Sequence, residues 1–161
     1  MDTKPMNDGQ MGSGNYPRFF LMLGVSFVIM HLTMYLNTET LDHLYLSTNR
    51  LYMTTLMITT MAVVMLLFMR HMYRDARINT LIITGSVVLF GAALFAVRNQ
   101  AFINDKRFMQ SMIPHHSIAI LVSKQANLND PEVKALATGI IDAQEREIAQ
   151  MKRILARMDN K

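Results

Sequence analysis

Three long apolar runs followed by two amphipathic stretches divide this chain. Phe19 to Leu36 is nearly uninterrupted and about as long as a bilayer is thick, and it leaves through the polar Asn37, Thr38 and Glu39. Leu51 to Met69 is entered from Arg50 and left through Arg70, His71 and Arg74, with no charge between. Ile78 to Val97 carries Gly85, Ser86, Gly91, Ala92 and Ala93, small side chains that let neighbouring helices approach closely. The pattern predicts three transmembrane helices, spanning about 19–36, 51–69 and 78–97. Residues 1–17, with Gly, Asn, Asp, Pro and Ser around isolated Met1, Met6 and Met11, show no apolar period and are expected to form a disordered lead. The long run behind this lead has no small-residue cleavage site at its end, so it is expected to stay attached rather than act as a signal peptide.

The remaining segment changes period and becomes polar on one side. One helix is predicted from about Asn104 or Asp105, an N-cap, to Gln125 or Ala126, with Pro114 inside it removing a backbone donor and inviting a kink or a fresh start. Asn127 to Asn129 make the turn. Asp130, Pro131 and Glu132 then give a capping carboxylate, a proline at the first helical position and an acid at the positive end of the dipole. The second helix should reach Met158. Its apolar face holds Val133, Leu136, Ala137, Ile140, Ile148, Met151, Ile154, Leu155 and Met158, with Gln144 at the centre and Glu147 at the border. The expected fold is all-α: a lead (1–17), a three-helix membrane region (18–98) and a helical domain (99–161) whose two helices form an antiparallel hairpin.

Charge fixes the expected orientation. Arg70, Arg74 and Arg77 crowd the second loop, whereas the first, Asn37 to Asn49, carries Glu39 and Asp42 and no Lys or Arg. The second loop and the N-terminus, with Lys4 and Arg18, are therefore expected in the cytoplasm, and three spans send the last segment out of it. Arg98, Lys106 and Arg107 pull weakly the other way. The net charge of +4 is spread thinly, without a basic block interleaved with aromatics, so nucleic acid is not an expected partner.

Composition narrows the chemistry. Cysteine and tryptophan are absent, which removes disulfides, thiolate catalysis and Fe–S ligation, while sixteen methionines make up about a tenth of the 161 residues. Phe108 to His116 gathers two thioethers and two adjacent imidazoles: on a helix Met109, Met112 and His116 fall within roughly 60° of arc, with Asp105 on the same stripe and His115 beside Met112. Thioether and imidazole donors suit Cu(I). An antiparallel return of the second helix brings Met151 near as a further thioether, and Gln144 or Glu147 as a partner for a free ring N–H. A di-iron centre lacks its Glu-x-x-His spacing, and there is no Ser-His-Asp order, phosphate loop or acid pair in an evident cleft, so no enzyme is expected. In the spans, Met53, Met57, Met61, Met65 and Met69 form a stripe drifting about 40° per step. Met30, His31 and Met34 lie on the first span, where an intramembrane histidine is a functional candidate.

The segment from about Asn104 to Met158 resembles the bacterial family called domain of unknown function 305. The resemblance rests on Phe108, Met109, Met112, Ile113, Pro114, His115, His116, Ala119 and Ile120, on Asp130, Pro131, Glu132 and Val133, and on Ile140, Ile141, Gln144, Glu147, Ile148 and Met151. It implies a ferritin-like helical unit, usually exported, associated in some members with copper binding and copper tolerance. It also implies Met109, Met112, His115, His116 and Met151 as metal ligands, with Asp105, Gln144 and Glu147 around them. Many relatives resemble soluble exported proteins, whereas here one copy follows three spans, similar to a membrane-bound subgroup. The expectation is a bacterial inner-membrane protein with an extracytoplasmic domain that binds Cu(I), or Ag(I), for copper homeostasis or tolerance, with a copper exporter or chaperone as its partner. The alternative is a non-catalytic membrane assembly module in which these residues only pack a bundle. A lone hairpin has little core, so a homodimer or higher homo-oligomer is expected.

Overall fold

The computed structural model describes residues 15–160, so residues 1–14 of the expected lead lie outside the described residues. Five α-helices follow one another: α1 (Tyr16–Thr33), α2 (Thr48–Phe68), α3 (Ala76–Arg98), α4 (Asp105–Gln125) and α5 (Pro131–Asp159), with a short 3-10 turn at Leu41–His43 between the first two. No strand occurs among the described residues. The chain divides into two compact units. One holds the described residues up to Met30 together with Tyr52–Asn99, and the other holds His31–Leu51 and the described residues from Gln100 onward.

In the first unit α1, α2 and α3 are each long and apolar enough to cross a membrane. α1 begins three residues before the apolar run does, because Pro17 suits a first helical turn, and after Thr33 the chain tightens into i→i−3 bonds from Tyr35 to Leu32 and from Leu36 to Thr33. His31 consequently stands in the last turn of α1, its ring 5.5 Å from that of Tyr35. Asp75 caps α3 by accepting from the backbone N–H of Arg77 and Ile78. Burial is reversed relative to a water-soluble bundle: Leu21, Leu81 and Val88 are exposed, whereas Thr54, Thr59 and Ser86 are buried. Thr59 satisfies its hydroxyl by donating 2.8 Å to the Thr55 carbonyl, as a side chain in hydrocarbon must. Tyr16, Phe19, Ala62, Leu66, Tyr73 and Ile82 form the buried cluster, and the Tyr16 hydroxyl donates 2.8 Å to Asn79, which itself donates to the Tyr73 carbonyl.

The second unit is the α4–α5 hairpin with a strap, residues 31–51, laid along it. Asn104 caps α4 through the Arg107 N–H, and Asp130 caps α5 through the N–H groups of Glu132 and Val133. Pro114 does not end α4, which runs on to Gln125 with the proline buried inside it. Met109, Ile113, Ile120, Ile148 and Leu155 make the core, with Tyr45 of the strap packed against it. Polar ties hold the strap on a side of α4 away from the Met109 stripe. The fully buried Ser117 hydroxyl accepts 2.8 Å from the Glu39 N–H and lies 3.0 Å from His43 Nδ1, and the Ser47 hydroxyl bonds that of Ser111 at 3.1 Å. Lys124 bridges Glu39 and Glu145, and Lys152 pairs with Asp42. The helical domain is thus larger than residues 99–161, because the first loop completes it.

Two of the nine residues foreseen on the apolar face of α5, both near its start, are not covered. Ile148 and Leu155 are buried, but Val133 and Leu136 are 44% and 64% exposed. The hairpin is flush at one end, where Lys106 meets Asp159, and α5 has 29 residues against 21 in α4. The excess, about two turns, therefore overhangs the end of α4 and carries Val133 and Leu136 past the α4 helix that covers the rest of the face.

Candidate metal centre

The antiparallel hairpin is pinned in register by His116, whose Nε2 lies 2.7 Å from Glu147 Oε2, and by Lys106 with Asp159 at the other end. Four residues back along α4 and four forward along α5, Met112 comes opposite Met151. The two helices enclose an open groove of about 610 Å³ lined by Asp105, Phe108, Met109, Met112, His116, Glu147, Gln150, Met151, Ile154, Arg157 and Met158. Hence Met109, Met112, His116 and Met151 share one concavity, with Asp105 and Glu147 on its rim.

His116 has little freedom. Its Nδ1 sits 2.9 Å from the carbonyl oxygen of Met112, one turn back on the same helix. A carbonyl only accepts, so Nδ1 carries the hydrogen, and Nε2 is the nitrogen that either donates to Glu147 or offers a lone pair to a metal. The side chain is 12% exposed and Glu147 54%, so the ring is held inside while its carboxylate partner reaches water. A backbone carbonyl orienting one imidazole nitrogen is the usual way a protein aims the other.

His115 faces outward instead: it is exposed, does not line the groove, and its ring centroid is 6.2 Å from that of His116. Gln144 is half-buried on α5, outside the groove lining, and makes no hydrogen bond among the described residues. Met158 and Arg157 line the groove although neither figured as a site residue in the sequence. Met158 lies seven residues after Met151, two turns along one face, and that spacing was the available signal.

Among the described residues no three His, Cys, Asp or Glu side chains converge as a metal site. The groove lining instead offers the thioethers of Met109, Met112, Met151 and Met158, donors that suit soft ions better than Zn²⁺, Mg²⁺ or Ca²⁺.

On the strap side the charges are tied to one another. Hydrogen bonds to Glu39 and then Glu145 raise the Lys124 ammonium above its ordinary range, and the hydrogen bond from Lys152 lowers the Asp42 carboxyl. Burial, followed by the nearby Lys152, lowers the His43 imidazole against opposing pulls from Asp42 and Glu39.

Residues 92–161 match the family described as Domain of unknown function (DUF305). The chain belongs to the DUF305 family. It is also 39% identical over 144 residues to the Uncharacterized protein L153 of Acanthamoeba polyphaga mimivirus, covering 88% of this chain and 93% of that one. The likeness therefore reaches beyond the matched segment into the apolar helices ahead of it. No solved structure matches.

Proposed function

We propose that this chain is a membrane-anchored protein that binds Cu(I), or Ag(I) by its similar softness, in copper homeostasis or tolerance, and that it catalyses no reaction. The observation that carries the reading is the meeting of Met109, Met112, Met151 and His116 in one groove between two helices. His116 would bind through Nε2 and the three methionines through sulfur, with His115 at the outer edge and Asp105, Glu147 and Gln144 around the set. The hairpin is read as a ferritin-like unit. The strap, which joins the first two candidate spans, packs with the hairpin that follows the third, which supports a topology with both on one side of the bilayer, since two spans lie between them. With the arginine-rich second loop inside, that side is extracytoplasmic, on a bacterial inner membrane, where a copper exporter or chaperone would be the partner. The overhanging Val133 and Leu136 favour a homodimer or higher homo-oligomer that covers them.

A second reading is supported by Met109, which at 6% exposed belongs to the hairpin core. In it the methionines and histidines only pack a non-catalytic membrane assembly module. Cu(I) competition against a chromophoric chelator, on the full chain in detergent, separates the two. The first reading expects the strongest site to weaken more than about 100-fold in the His115→Ala, His116→Ala double variant, beyond the loss typical of an outer-shell change. Unchanged or absent Cu(I) binding makes the packing module the function.

A further inference from the structure

The groove is longer than one metal ion needs. His116 and Met158 mark its ends, and its lining contains four methionines, Met109, Met112, Met151 and Met158. In a helix long side chains lean toward the N-terminus, over the preceding turn. Because α4 and α5 run antiparallel, that lean sorts the ligands into two groups. His116 leans toward Met112, as its bond to the Met112 carbonyl shows, and the same lean on α5 directs Met151 toward Glu147, which pairs with His116. Those two converge. At the other end the register set by Lys106 and Asp159 puts Asp105 across from Met158. By the same lean Met109 is directed toward Asp105 and Met158 toward Ile154, the level of Met109, which brings this second pair of groove-lining thioethers together. The midpoints of the two pairs are about seven residues apart along α4, or roughly 10.5 Å at 1.5 Å per residue. Metal–sulfur bonds are only about 2.3 Å long, so one ion cannot reach both pairs.

We infer that the groove holds two soft monovalent ions, one at His116 and Met151 and a second at Met109 and Met158, with Met112 between them and the Asp105 carboxylate at the mouth of the second. The inference rests on the copper-binding reading and adds to it a site and a ligand, Met158. The second site has sulfur donors alone, apart from that carboxylate, and apolar walls formed by Phe108 and Ile154. Two sites one behind the other along a groove also give a bound ion a neighbouring thioether set to move to, which suits handing on an ion rather than burying it.

The test is a Cu(I) stoichiometry on the full chain in detergent, with X-ray absorption at the copper edge, for the wild type, Met158→Leu and His116→Ala. Leu keeps the bulk of the side chain and removes the sulfur. The expected result is that Met158→Leu binds one equivalent fewer than the wild type while its spectrum gains in nitrogen share. His116→Ala should also lose one equivalent, and its spectrum should lose the nitrogen. Equal stoichiometry in the wild type and Met158→Leu overturns the second site. If the His116-dependent equivalent remains in that case, the copper-binding reading stands without it; if the wild type binds no Cu(I), both fall together.

Discussion

The two units of this chain differ in what they leave outside: both bury an apolar cluster and some hydroxyls, but the first exposes large aliphatic side chains and the second exposes charges. Among α1, α2 and α3, the aliphatic Leu21, Leu81 and Val88 face outward while Thr54, Thr59 and Ser86 are inside. Around α4 and α5, Ile113, Ile120 and Ile148 are inside, and the lysines and carboxylates that tie down the strap are at the surface. In hydrocarbon there is no water to expel, so contact is decided by close approach and hydroxyl–backbone bonds, whereas in water the buried apolar area is the main driving term. Methionine follows the same division. Met53 and Met57 of α2 are 42% and 44% exposed, as side chains in contact with lipid are, while Met109 is 6% exposed in the groove that also holds the fixed imidazole of His116. The same residue type is outward-facing apolar filler in one unit and a candidate ligand in the other, and its neighbours make the difference.

The sharpest way to break this comparison is to delete the same kind of apolar bulk in both units. Ile120→Ala, at a fully buried position, should cost about 2–5 kcal/mol and strip hydrogen-exchange protection from α4 and α5. Leu21→Ala, 66% exposed, should change the protection of α1 by less than about 0.5 kcal/mol. Equal losses would mean that the first unit folds by burial in the way the second does. Next in size is Ser117→Ala, which leaves the Glu39 N–H and the His43 ring without the hydroxyl they share. The expected cost is about 1–3 kcal/mol, read as faster exchange along residues 38–47 with the spans unaffected.

The smallest effect expected is on pH dependence. Because burial lowers the His43 imidazole in the folded protein, the unfolded chain takes up its proton first as pH falls. The stabilisation is complete above the ordinary histidine value of 6.5 and is lost as pH drops from there through the lowered one. Lys152, Asp42 and Glu39 are the charges that face the ring. His43→Gln should flatten the acid side of the stability profile of the second unit; a variant as acid-sensitive as the wild type would assign the loss to another group.

Much of this architecture was readable in advance. The lengths of the apolar runs foretold α1, α2 and α3, and Asn104, Asp130 and Pro131 foretold where α4 and α5 begin, because caps and span lengths are local properties. The stripe of Met109, Met112 and His116 was readable for the same reason, since helical spacing alone puts them on one face. The strap was not. Ser47, Ser111 and Ser117 look like ordinary surface serines, and a loop has no period to betray which of its residues will meet a helix distant in sequence. Pro114 pointed to a kink or a fresh helix start, and no fresh start occurs, because α4 tolerates one missing donor inside a packed hairpin and runs on to Gln125.

What the sequence determined by itself is therefore the set of helices, their ends and the faces they present. The tertiary structure decided which faces meet. It set Met158 in the groove, turned His115 out of it, aimed His116 Nε2 at Glu147 and left Val133 and Leu136 uncovered. Those outcomes follow from the register and unequal lengths of two packed helices, and register is a property of the pair that neither helix carries alone.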